Sequence, residues 1–112
     1  MVNTGILPHP DDLRTMSAEA ENAASLLKTL AHPGRLMLAC ALVGNEYSVG
    51  ELEEMLDIRQ PTLSQQLTVL RQAGVVETRR EGKQIIYRLT AEKAALLIEA
   101  LYGIFCGKGK RA

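Results

Sequence analysis

The 112-residue sequence is the size of one domain and leaves no room for a second. Apolar residues make up 46% of it and the formal net charge is zero, which excludes a disordered tail and argues against a protein that coats nucleic acid indiscriminately. With no tryptophan and one phenylalanine, the core must be aliphatic. The charge is unevenly spread. From Arg59 to Arg88 the bases Arg59, Arg71, Arg79, Arg80, Lys83 and Arg88 stand against Glu77 and Glu81, a net of +4, whereas Glu46 to Asp57 holds five acids and no base. A local basic face is what phosphate binding requires, although ordinary solvated faces account for these counts equally well. No basic start followed by an apolar run suggests a signal peptide, and no apolar stretch reaches about twenty residues, so a cytoplasmic protein that touches no membrane is expected. Two cysteines in that compartment are core thiols, a redox pair or metal ligands rather than a permanent staple.

Along the chain, residues 1–15 hold Gly5, Pro8, Pro10, Asp11 and Asp12 without periodicity and read as a flexible arm. Ser17 is the expected N-cap of a first helix that carries Ala20, Ala23, Ala24, Leu27 and Leu30 at helical spacing. His32-Pro33-Gly34 breaks it, and Pro33 suits the first position of a second helix whose apolar face is read as Leu36, Met37, Cys40, Ala41 and Val43. Ser48-Val49-Gly50-Glu51 spells a capping box for a short third helix, with Leu52, Met55 and Leu56 inside. After the turn Asp57-Ile58-Arg59, Pro61 is expected to begin a fourth helix with Leu63, Leu67 and Leu70 buried and Gly74 closing it. Val75–Arg79 and Gln84–Leu89 are rich in β-branched and aromatic residues and flank Arg80-Glu81-Gly82-Lys83, which predicts a hairpin with a basic tip. Thr90 is the expected cap of a last helix through Leu96, Leu97, Ala100, Leu101 and Ile104. The domain proper is thus placed at residues 16–106, with a basic tail at 107–112.

Two short helices at 48–56 and 61–73 joined by a tight turn match a helix-turn-helix, whose second helix lies in the major groove. Burying Leu63, Leu67 and Leu70 turns Thr62, Ser64, Gln65, Gln66, Thr68 and Arg71 toward other surfaces. Short hydroxyl and amide groups of this kind read base edges, whereas an ordinary solvated helix more often carries Glu and Lys. Arg59 and Gln60 precede that helix and join the candidate contacts. The hairpin then fits as a wing, with Arg79, Arg80 and Lys83 placed for phosphates or the minor groove. The fold class predicted is mainly α with a small β-hairpin.

Leu27-Lys28-Thr29-Leu30-Ala31-His32-Pro33-Gly34-Arg35-Leu36, the stretch Ser48–Leu52, the run Gln60–Val76 and the segment Arg79–Leu89 together resemble the ArsR/SmtB family of bacterial repressors over roughly residues 18–105. The resemblance implies a winged-helix homodimer paired through its first and last helices. It also implies binding to double-stranded operator DNA without inducer and release with it.

Metal-sensing members of that family usually carry cysteines on the third helix or Asp, His and Glu ligands on the last. Here the third helix has neither Cys nor His, and the last has Glu92 and Glu99 but no histidine. A tetrahedral zinc or cadmium site needs about four such ligands, so no metal, no cofactor and no catalytic constellation are expected, and His32 reads as structural. Cys40 and Cys106 remain. Cys40 lies mid-helix among Met37, Leu38 and Val43, where an inert buried thiol is the ordinary reading. Cys106 ends the last helix beside Lys108, Lys110 and Arg111, and nearby positive charge lowers a thiol's pKa. Two cysteines at these places resemble the persulfide- and sulfide-responsive BigR/SqrR-like subgroup. That resemblance implies a dithiol form bound to DNA and a form, bridged by oxidants or reactive sulfur species, that releases it. The alternative is a metal or metalloid sensor of the same fold that uses both cysteines as ligands.

Overall fold

The computed structural model describes residues 9–107, so residues 1–8 of the expected arm and residues 108–112 of the basic tail lie outside the described residues. Five helices and a small sheet follow in the order α1 (Pro10–Leu30), α2 (Pro33–Ala41), β1 (Glu46–Ser48), α3 (Val49–Leu56), α4 (Thr62–Gln72), β2 (Val76–Glu81), β3 (Gln84–Leu89) and α5 (Glu92–Phe105).

The first helix starts seven residues before Ser17, and residues 10–15 are helical rather than part of an arm. The reason is local. Pro10 occupies the first turn, where its missing N–H costs nothing, and the His9 side chain accepts from the Asp11 N–H at 3.2 Å while the Asp12 carboxylate accepts from the His9 N–H at 3.1 Å. Asp11 and Asp12 also suit the positive end of the helix. Residues that read as a loop are in fact a start signal.

His32 is structural, as its position suggested. Its Nδ1 accepts from the backbone N–H groups of Gly34 at 3.0 Å and Arg35 at 3.4 Å and so caps α2. The buried face of α2 differs from the expected stripe: Leu38, Ala39 and Leu42 are fully enclosed, while Leu36, Cys40, Ala41 and Val43 are only half-buried and Met37 is half-exposed. This helix packs against α1, α3, α4 and α5 at once, so no single amphipathic stripe describes it.

The capping box at α3 is present as read, with the Glu51 N–H donating to Ser48 Oγ at 3.2 Å and the Ser48 N–H donating to Glu51 Oε1 at 2.8 Å. Asp57 ends α3 in the left-handed region, which Asp tolerates better than most residues. Leu63, Leu67 and Leu70 are all fully buried, the i, i+4, i+7 pattern read from sequence. Pro61 is the N-cap of α4 rather than its first residue. At the other end Gly74 takes φ +77°, and the N–H groups of Gly74 and Val75 donate to the carbonyls of Arg71 and Leu70, a Schellman closure that needs this glycine.

The sheet has three strands in the order β1-β3-β2, one more than the hairpin expected. The additional strand, Glu46–Ser48, pairs antiparallel with β3 through Glu46↔Arg88, Tyr47↔Tyr87 and Ser48↔Ile86. The hairpin turn is tighter than the four-residue tip expected: Glu81 pairs with Gln84, leaving Gly82 at φ +62° and Lys83 as the loop. Finally, Thr90 does not cap α5. Ala91 is the N-cap, and the Thr90 hydroxyl donates toward the Val75 carbonyl at 3.4 Å, tying the end of β3 to the start of β2.

The core joins Leu30, Leu38, Ala39, Leu42, Leu52, Leu63, Leu67, Leu70, Val75, Val76, Ala94 and Ile98. It is aliphatic throughout. Outside it, Leu13, Met16 and Leu27 of α1 and Leu96, Ile104 and Phe105 of α5 stay exposed, Phe105 at 80%.

Candidate nucleic-acid interface and cysteine pair

Because Leu63, Leu67 and Leu70 anchor α4 in the core, the intervening side chains are presented outward. Thr62, Ser64, Gln65, Thr68 and Arg71 are exposed, and Gln66 is half-buried. They do not share one role. Gln60 Oε1 accepts from the Ser64 N–H at 3.1 Å and from the Ser64 hydroxyl at 2.6 Å, so Gln60 closes the first turn of α4, where the N-cap Pro61 makes no side-chain bond. The Thr68 hydroxyl donates to the Ser64 carbonyl at 2.8 Å. Gln66 Oε1 accepts from the Arg35 guanidinium at 2.9 Å. Among the described residues, Thr62, Gln65 and Arg71 make no side-chain hydrogen bond or ion pair. These three offer the open hydroxyl, amide and guanidinium groups of the helix.

The wing bases divide likewise. Arg79 is held between two carboxylates, donating to Glu46 Oε1 at 2.6 Å and to Glu81 Oε2 at 2.7 Å. Those bonds raise its pKa above the usual arginine value, the Glu81 bond contributing most. Arg80 makes only a long contact, 3.5 Å, to the Gly82 carbonyl. Lys83 has no partner among the described residues and lines a cleft of about 410 Å³ with Ser48, Gly50, Gln60, Ser64 and Gln84. The cleft joins the starts of α3 and α4 to the wing. Arg59 makes a loose 3.9 Å pair with Asp57, both largely in solvent, and its carbonyl accepts from the Leu63 N–H. Lys83, Arg80, Arg71 and Arg59 therefore carry the uncommitted positive charge.

Sequence reasoning missed Arg35, Glu46 and Glu81 as residues that shape this surface. Glu46 lies 33 positions from Arg79 and Arg35 lies 31 from Gln66, and no local pattern connects such pairs.

Cys40 and Cys106 are both free thiols, the first half-buried and the second exposed. Cys40 sits on the face of α2 that packs against α5 and lines a cleft of about 400 Å³ with Val43, Ile98, Glu99 and Tyr102. Cys106 caps the C-terminus of α5, its N–H donating to the Tyr102 carbonyl at 2.8 Å. Burial pushes the Cys40 thiol above its ordinary pKa, and a charge on neighbouring Cys106 pushes it further. Cys40 lines the space between α2 and α5, and Cys106 follows at the exposed end of α5. Among the described residues, no three His, Cys, Asp or Glu side chains gather to hold a metal ion, and no helix is long and apolar enough to cross a membrane.

Residues 32–78, the corner before α2 through the start of the wing, match the bacterial regulatory protein, arsR family. A biofilm growth-associated repressor from Agrobacterium fabrum is 65% identical over 105 residues, covering 94% of this chain and 86% of that protein. The crystal structure of the transcriptional repressor BigR from Xylella fastidiosa superposes with a TM-score of 0.82 at 61% identity, over 86% of this chain and 98% of that one. A homodimeric winged helix-turn-helix DNA-binding domain from Mycobacterium bovis, solved in solution, has a TM-score of 0.69 at 27% identity over 86% and 89% of the two chains. With a winged helix-turn-helix built from its own residues and relatives of this closeness, the chain belongs to the arsR family of bacterial regulatory proteins, as a DNA-binding transcriptional repressor and not an enzyme.

Proposed function

We propose that this repressor is a homodimer that holds operator DNA in its dithiol form and lets go when Cys40 and Cys106 are bridged by an oxidant or a reactive sulfur species. The observation that carries the reading is the placement of the two free thiols: Cys40 on α2, lining the cleft against α5, and Cys106 at the C-cap of α5, where its charge opposes ionisation of Cys40. The exposed Cys106 thiolate attacks an S–S bond of a disulfide or polysulfide and expels one thiolate. Cys40 then loses its proton and attacks the mixed species, expelling the second thiolate and leaving the two cysteines joined. The reagent takes up the two electrons the thiols give up. A direct disulfide needs Cα atoms about 4.4–6.8 Å apart, so closure ties α5 to α2.

Homodimer pairing through α1 and α5 is supported by Leu13, Met16, Leu27, Leu96, Ile104 and Phe105, which a lone chain leaves in water. If α5 builds that interface, bridging also changes the separation of the two α4 helices. Specific binding needs these about one DNA turn, roughly 34 Å, apart. Thr62, Gln65 and Arg71 are the leading base readers, with Ser64, Gln66 and Thr68 beside them. Arg59, Arg80 and Lys83 meet phosphates, and Gln60 and Arg79 set the frame. A protein acting on operator DNA in this way works in the cytoplasm and needs no cofactor.

Operator binding by gel shift, read beside intact mass before and after a disulfide oxidant or an inorganic polysulfide, tests this. Loss of binding should accompany loss of two thiol hydrogens or gain of sulfur, and Cys106→Ser should bind operator yet ignore the reagent. Binding that survives complete bridging overturns the switch. Release by arsenite or zinc, with the thiols still reduced, favours the metal-sensing reading.

A further inference from the structure

The corner between α1 and α2 holds an arginine that the DNA-facing reading above does not use. Arg35, half-buried in the first turn of α2, donates through Nε to the Thr29 carbonyl at 2.5 Å and through its terminal nitrogen to Gln66 Oε1 at 2.9 Å. Thr29 lies in the last turn of α1, where carbonyls lack intrahelical partners, so the first bond closes that helix. The second bond reaches α4, the helix that reads DNA. One planar guanidinium thereby spans three helices, a geometry an ammonium group cannot reproduce. Gly34, beside Arg35, leaves room for the His32 cap: a Cβ there would stand 3.2 Å from the His32 ring, and only in ordinary contact, 3.8 Å, with Gln66 Cγ.

We propose that Arg35 is a positioning residue for operator recognition, fixing the rotation of α4 about its axis by holding Gln66. Gln66 is the half-buried polar residue among the outward set of α4, and its bond to Arg35 is the long-range side-chain hydrogen bond that α4 makes among the described residues. The three anchoring leucines sit on one side of the helix and tolerate a small roll. A hydrogen bond on the flank does not. With Oε1 engaged by Arg35, the Gln66 amide NH2 makes no hydrogen bond among the described residues, so the group it has left to offer DNA is a donor. That suits an acceptor such as guanine O6 or N7 or thymine O4, rather than the paired donor and acceptor of adenine. The inference rests on α4 being the reading helix.

The test is a double-mutant cycle on the full-length protein with Arg35→Ala, Gln66→Ala and the double variant, read by fluorescence anisotropy on operator and scrambled duplexes across a salt series. Arg35→Ala should weaken operator binding about tenfold, the size of one lost hydrogen bond to a charged donor. Binding to scrambled duplex and the salt slope should stay unchanged, because no phosphate contact is removed. The double variant should bind operator within about twofold of Gln66→Ala alone. Independent losses, in which Arg35→Ala costs as much without Gln66 as with it, overturn the proposal. So does a loss shared equally by scrambled DNA with a shallower slope, which makes Arg35 a phosphate contact. If Arg35→Ala loses helical circular dichroism, Arg35→Lys keeps the stem and charge without the fork and enters the same cycle under the same criteria. Unchanged operator binding by Gln66→Ala, Gln65→Ala and Thr62→Ala together would instead refute α4 as the reading helix.

Discussion

Salt dependence separates two wing bases that look alike in sequence. Lys83 has no carboxylate partner, whereas Arg79 is neutralised by Glu46 at 2.6 Å and Glu81 at 2.7 Å. Each phosphate neutralised by a protein cation releases counterions and contributes about 0.9 to the slope of log affinity against log salt. A dimer carries two wings, so Lys83→Ala should flatten that slope by about 1.8. Between 50 and 200 mM salt, a fourfold range, this means the variant loses about tenfold less affinity than the parent. Arg79→Ala should leave the slope nearly unchanged while still weakening operator binding, because it frees Glu46 from Glu81 and loosens the tip against β1. Fluorescence anisotropy on an operator duplex across that range reads both numbers. If Arg79→Ala flattens the slope as much as Lys83→Ala, then Arg79 leaves its carboxylates for phosphate on binding, and the division of the wing bases argued from this geometry is wrong.

Other consequences are as direct. Ser48→Ala should cost about 1–2 kcal/mol, since it leaves the Glu51 N–H without its cap at a buried position, and thermal melting should fall by several degrees. Leu38→Ala, at the centre of the core, should cost about 2–5 kcal/mol, and Met37→Ala, half in solvent, far less; chemical denaturation compares them. For Cys40 the folded pKa is raised above the unfolded one, so the native state keeps the proton longer. Its contribution to stability is complete below the ordinary thiol pKa and lost as pH rises through the raised value. Replacing Cys106 by serine removes the smaller of the two causes. Ultraviolet thiolate absorbance should then show Cys40 titrating lower, yet still above an ordinary thiol, because burial remains.

The parts of this protein legible in its sequence are those governed by local rules. The buried stripe Leu63, Leu67, Leu70, the Ser48–Glu51 box, the Gly74 closure and the hairpin around Gly82 each depend on residues within one or two turns, and each is found where the pattern put it. The start of α1 is equally local but ambiguous in sequence, because Pro10, Asp11 and Asp12 mark a helix entrance as readily as a loop. Tertiary structure alone decided the remainder. A three-residue strand at Glu46–Ser48 has too little length for periodicity and exists because β3 pairs with it. The inner face of α2 depends on which four helices surround it. Above all, contacts 31 and 33 residues apart, Arg35 with Gln66 and Glu46 with Arg79, helped settle which polar groups are spoken for, although Arg79 is also held by its near neighbour Glu81. Periodicity reports which side of a helix is apolar, because that follows from the chain's own geometry. It carries no record of which distant side chain will arrive beside a given charge, and that decides whether an arginine reaches for DNA or for its own fold.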